Sequence, residues 1–170
     1  REKFVNYIVY PENPIPLFGA SIIQKLQPFI GEAQAHLPVI KTNMPKKHII
    51  LSSATSTAHK YPNIHTCTLR GLNPVLKLMY SDQPLAFYGI PKLCLAHKMY
   101  GFPFLDTNGE YGISNRDNYV ITNKSIMELK LIAAFLRTKT ALYIFETTRY
   151  RMKYLEKYAF EFIPAISVLE

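Results

Sequence analysis

Asp106, Asp117, Glu128 and Lys130 are the residues of this sequence whose types could act on a phosphate. Two carboxylates with a lysine can hold a magnesium ion and polarise a phosphoryl group, as a nuclease requires. The neighbours of Glu128 favour a different role. Ser125 stands three residues before it, the spacing of a helix capping box, and Ile126, Leu129, Ile132, Ala133 and Leu136 follow at helical intervals. Glu128 is therefore expected to close a helix cap and Lys130 to be solvated. The histidines (His36, His48, His59, His65, His97) never pair at metal-ligand spacing, and Cys67 and Cys94 lie far apart without a CxxC partner. Both cysteines are expected as small buried residues in strands. The sequence has no GxxxxGK phosphate loop followed by Ser or Thr, no GxGxxG dinucleotide loop and no GxSxG nucleophile turn. The expectation is a chain with no catalytic residues, no metal and no cofactor of its own.

Charge points to the partner. The chain has 20 Lys and Arg against 12 Asp and Glu, a net charge of +8. Such an excess favours a polyanion, nucleic acid ahead of an anionic membrane. Twelve Tyr and ten Phe supply rings that pack and, for Tyr, hydrogen-bond at once. No apolar run is long enough to span a bilayer, and no leader pattern follows Arg1-Glu2-Lys3. An intracellular place is expected, whether cytoplasm, viral factory or virion.

The elements that must position these residues read as follows. Lys3–Tyr10 is strand-like until Pro11, Pro14 and Pro16; Ser21–Phe29 reads as a short helix; His48–Leu51 reads as a strand before a polar loop, Ser52–His59. Asn63–Leu69 and Val75–Tyr80 predict a hairpin, Ile90–Ala96 a strand, Asp106–Gly109 a turn and Tyr119–Thr122 a short strand. Two helices should close the chain, one from Ser125 to about Arg137 and one over Thr148–Ile163. The second would bury Met152, Leu155, Ala159 and Phe162 and turn Arg149, Lys153 and Lys157 outward, with Tyr150 and Arg151 adjoining. Strands followed by helices predict an α+β fold, a mixed or antiparallel sheet with helices packed on it. Residues 1–60 read as an N-terminal extension or subdomain, and 61–170 as the main domain.

From Tyr61 onward, four segments occur in an ordered succession: YPNIHT (Tyr61–Thr66), YGIPKLCLA (Tyr88–Ala96), FLDTNGEYGIS (Phe104–Ser114) and TRYRMKYLEKYAFEFIP (Thr148–Pro164). In pattern and order they resemble the target-recognition domains of adenine-N6 DNA methyltransferases and of fused restriction–methylation enzymes, including copies in large DNA viruses. The Asn/Asp-Pro-Pro-aromatic loop and the Gly-rich cofactor loop of such methyltransferases are not found here. The resemblance implies a DNA-reading module without the methylating machinery, acting with a catalytic methyltransferase or endonuclease domain or chain on double-stranded DNA. Its Gly-x-Pro-Lys segment implicates Lys92, and its turn implicates Asn108 and Tyr111. With the helix reading above, the expected DNA contacts are Lys92, Asn108, Tyr111, Arg149, Tyr150, Arg151, Lys153 and Lys157. Two further readings stand beside this one: a structural or assembly protein of a large DNA virus that keeps the fold, and a magnesium-dependent nuclease.

Overall fold

The computed structural model describes residues 6, 9, 15–26, 36–70, 73–97, 103–150 and 154–166. The expected strand Lys3–Tyr10 lies almost wholly outside the described residues.

Among the described residues seven strands form two sheets: β1 (Ile40–Lys41), β2 (Tyr61–Arg70), β3 (Asn73–Ser81), β4 (Lys92–Ala96), β5 (Phe104–Asp106), β6 (Gly112–Ile113) and β7 (Asn118–Ile121). The first sheet has the order β1-β7-β4-β5, antiparallel throughout; the second has the order β3-β2-β6, with β6 parallel to β2. The helices are α1 (Ala20–Ile23), α2 (Ile126–Phe135) and α3 (Lys139–Thr147), with short 3-10 helices at Gln24–Leu26 and Lys157–Phe162. The fold is α+β, as expected.

Period-two alternation explains the layering. Leu93, Leu95, Tyr119 and Ile121 face one large apolar cluster with Leu129, Ile132, Ile144, Phe145 and Phe160 from the helical third. Cys94 and Val120, on the other face of the same strands, pack with Ile64 and Ile113 of the second sheet. β4 is thus covered on both faces, which is why all five of its residues are buried. Leu37 and Val39, just before β1, join the large cluster.

The β2–β3 hairpin contains a bulge between Ile64 and Thr66. One extra residue shifts the alternation, so Ile64 and Cys67, three positions apart, are both buried opposite Leu78 and Leu76. Thr68, Val75 and Lys77 are exposed on this ribbon, with Thr66 half-buried beside Lys77.

Three local expectations are corrected. His48–Leu51 is not a strand: a turn from Lys46 O to Ile49 N (3.0 Å) coils the chain, and only Ser52 bridges to Tyr80. The described part of Ser21–Phe29 is a single helical turn and a 3-10 turn. Thr148–Ile163 is not one α-helix. The helix falls earlier, on Lys139–Thr147, where the Thr138 hydroxyl caps Ala141 N at 3.2 Å. Beyond it Leu155 bonds across the fold, its N donating to His97 O (2.8 Å) and its O accepting from the Tyr119 hydroxyl (2.9 Å). A backbone committed to these partners cannot make the i→i−4 ladder. Leu155, Ala159 and Phe162 are buried all the same, on a 3-10 path.

Candidate functional site

Among the described residues, one of the expected DNA contacts is not on the surface at all. Lys92 is the clearest correction. Its side chain is fully buried, and its ammonium donates to Asp106 Oδ2 (2.6 Å), Phe87 O (3.0 Å) and Ile90 O (3.2 Å). All three ammonium protons are used inside the protein, so none is left for a phosphate or base edge. The cationic stripe expected from Arg149, Lys153 and Lys157 loses its helix. Arg149 pairs with Glu146 at 2.9 Å, and Lys157 is exposed at the start of a 3-10 helix. Arg151 and Lys153 lie outside the described residues. The Tyr150 hydroxyl donates to Ile15 O at 2.8 Å. Asn108 is exposed at the tip of the Asp106–Gly109 turn, and Tyr111 is half-buried edge-on to Phe104.

Two of the four quoted segments, Tyr88–Ala96 and Phe104–Ser114, meet at the buried pair Lys92–Asp106. Asp106 Oδ1 accepts from Glu110 N (2.9 Å) and Oδ2 from Tyr111 N (3.1 Å), which folds the turn around the carboxylate. Gly89 N donates to Gly109 O at 2.7 Å, and a Cβ on Gly109 would collide with Gly89 C and Ile90 N. Both glycines have positive φ (77° and 69°). The close approach at Gly89 is therefore to the chain's own turn. Asn63 of β2 lies beside Gly112, and Ser114 N donates to Ile64 O at 3.0 Å. Glu128 closes the capping box, accepting from Ser125 N at 2.8 Å. Among the described residues no three His, Cys, Asp or Glu side chains group as a metal site.

This buried frame shapes one wall of a cavity of about 470 Å³. The wall is Gln83–Phe87. Its carbonyls are pinned in turn: Gln83 O by the Ser81 hydroxyl (2.6 Å), Leu85 O by Tyr88 N (3.1 Å), Ala86 O by Ile113 N (3.0 Å) and Phe87 O by Lys92. Phe87 has φ +65°, a left-handed conformation that a bulky residue rarely adopts. The Lys92 ammonium on its carbonyl helps hold it there, and such strain persists only where the surroundings over-determine it. The facing wall is 40–49, anchored where the Thr42 hydroxyl donates to Asn115 O (2.6 Å) and accepts from Asn118 N (3.2 Å).

Cations mark the same region. Lys41, Lys46 and His48 line the cavity, and all three are exposed, as is Lys47. Burial, and after it Lys77 opposite Thr66, lower the His65 pKa, and the His65 ring touches Ser114 Oγ at 3.4 Å. Arg116 is exposed in the loop that follows, beside the half-buried Asp117.

The signal for this surface was present in the sequence as an absence. Between Glu32 and Asp82 there is no acidic residue, while Lys41, Lys46, Lys47, Lys60, Arg70 and Lys77 all fall there. Six of the eight net positive charges belong to that span.

No family model, curated protein or solved structure matches the chain. No helix among the described residues is long and apolar enough to cross a membrane.

Proposed function

We propose that this chain is a non-catalytic module that binds duplex DNA, with its contacts on the acid-free span rather than on the C-terminal segment. The observation that carries this reading is that Lys41, Lys46, Lys47, Lys60 and Lys77 of that span are all exposed. Lys41 ends β1, Lys46 and Lys47 lie in the segment that follows it, and Lys77 stands on the solvent side of a two-stranded ribbon with Thr68 and Val75. Lysines spaced over a surface without intervening carboxylates are suited to successive phosphates. A two-stranded antiparallel ribbon also has the width that a major groove admits. The ordered likeness to target-recognition domains supports the same partner. It also supports a catalytic domain or chain elsewhere, and two of the three carboxylates that could have served a nuclease are engaged: Asp106 with Lys92, and Glu128 with the cap.

Anisotropy titration of a labelled duplex tests the placement. Lys46→Gln with Lys47→Gln should weaken binding clearly, and Lys77→Gln further, whereas Arg149→Gln with Lys157→Gln should have a smaller effect. The reverse ranking would return the interface to the C-terminal segment, and no duplex binding by the intact chain would remove the reading.

A further inference from the structure

The cavity between 40–49 and Gln83–Phe87 has a wall whose carbonyls at Gln83, Leu85, Ala86 and Phe87 are each hydrogen-bonded. Its volume of about 470 Å³ falls within the range of small-molecule sites, about 300–1,000 Å³. Three kinds of group line it. Met44, Leu85 and Phe87 are apolar; Asn43 and Gln83 carry side-chain amides and are exposed; Lys41 and Lys46 supply positive charge, and His48 adds an imidazole. No carboxylate lines it; Asp82 adjoins Gln83 in sequence but is not among the lining residues.

Each kind of group narrows the ligand. An apolar surface that includes an aromatic ring suits a flat, poorly hydrated body. Amides offer a donor and an acceptor to its edge, the pattern by which Asn and Gln recognise adenine. Lysines beside them suit an anion attached to that body. The strained Phe87 backbone, fixed through Phe87 O by the buried Lys92, is organised before any ligand arrives.

We propose that this cavity is a nucleotide subsite that takes one unstacked nucleobase, with the attached phosphate on Lys41 and Lys46. The inference deepens the DNA-binding reading and rests on it for the source of the base, an unpaired position in a bound strand. A free mononucleotide has the same chemistry, and the experiment separates the two sources. Lys92 acts here as a positioning residue, through the Phe87 carbonyl.

The test compares three probes: a fully paired duplex, the same duplex with one unpaired adenine, and adenosine monophosphate. Stacking of a single base on a protein ring commonly strengthens binding about tenfold, so the intact chain should prefer the unpaired-base duplex by roughly that factor. Ala86 is exposed and lines the cavity, so Ala86→Trp fills the space with little effect on folding. It should abolish the preference while leaving affinity for the paired duplex unchanged. Asn43→Ala with Gln83→Ala should reduce the preference and make it indifferent to which base is unpaired. Equal binding of both duplexes by the intact chain, with no binding of the monophosphate, would overturn the subsite and leave the DNA reading standing. A preference that survives Ala86→Trp would overturn it as well. Saturable binding of the monophosphate that shifts the Asn43 and Ala86 amide resonances, without duplex affinity, would uphold the nucleotide chemistry and remove the DNA reading instead.

Discussion

Lys92 and Asp106 meet at 2.6 Å with side-chain exposures of 0% and 2%; Lys92 holds two backbone carbonyls, of Phe87 and Ile90, and Asp106 holds two backbone amides, of Glu110 and Tyr111. An ion pair this deep costs desolvation of both charges, so its value lies in the geometry it fixes as much as in net stability. Removing one partner strands the other. Lys92→Met should therefore lower unfolding stability by about 3–5 kcal/mol in denaturant titration. Lys92→Met combined with Asp106→Leu should lose less than the two single changes together. A Lys92→Met protein within about 0.5 kcal/mol of the original, the range of ordinary surface changes, would show that the pair does not organise this region.

His65 gives a dependence on pH. Burial, then the nearby Lys77, hold its imidazole below the ordinary histidine value, with a smaller opposing pull from Asp117. The folded chain then binds fewer protons than the unfolded chain just below that ordinary value. The stability that comes from neutral His65 is present in full above about pH 6.5, the unperturbed value, and is lost as pH falls towards the depressed one. His65→Gln should flatten this slope in denaturation curves recorded from neutral to mildly acid pH. Lys77→Gln should raise the His65 value followed by NMR titration, and an unchanged value would place Lys77 away from the ring.

The first helix of the C-terminal third offers a separable check. The Glu128 carboxylate is held below its usual range by the Ser125 backbone N–H, then by the Ser125 side chain, with Lys124 adding to both. This contribution is present above the ordinary glutamate value and disappears as pH falls through the lowered one. Ser125→Ala should cost about 1 kcal/mol and bring the Glu128 value back up. No change in melting temperature would mean that the helix does not depend on this cap.

The two thiols should be inert in the folded chain. Burial pushes Cys94 up to about 12 and Cys67 up to about 11. Thiolate is the reactive form, so a thiol reagent at pH 8 should react slowly with native protein and promptly with both cysteines after unfolding in guanidinium. Prompt reaction of either cysteine in the native state would contradict their burial.

What the sequence made legible was local. The Ser125–Glu128 box, the hairpin and the Asp106–Gly109 turn each depend on residues a few positions apart, and each formed where the spacing placed it. The stretch Thr148–Ile163 misled because Leu155, Ala159 and Phe162 are buried, as helical spacing requires, but with long-range bonds from Leu155 to His97 and Tyr119 in place of a helix. Periodicity reports burial and cannot report such partners. The helix Lys139–Thr147 went unread although Thr138 is a sound cap.

The candidate site was legible in a different way. Lys92 reads as a DNA contact and Asp106 as a turn residue or a metal-holding carboxylate, yet the two face each other inside the protein: a lysine in a strand looks the same in sequence whether it guards an edge or meets an aspartate fourteen residues on. The cavity depends on the fold bringing 40–49 against Gln83–Phe87, a pairing no local pattern announces. The acid-free span was visible throughout and needed only charge counted by segment rather than over the whole chain.

Duplex affinity measured over a series of salt concentrations bears most directly on the proposal that the acid-free span binds DNA. The logarithm of affinity should fall linearly with the logarithm of salt concentration, by about 0.9 for each phosphate neutralised. Lys41, Lys46, Lys47 and Lys77 are all exposed, so replacing them together by Gln should leave the fold intact. The slope should then become shallower by about 3 to 4. A slope identical in the intact and substituted chains, or duplex binding that ignores salt, would contradict it.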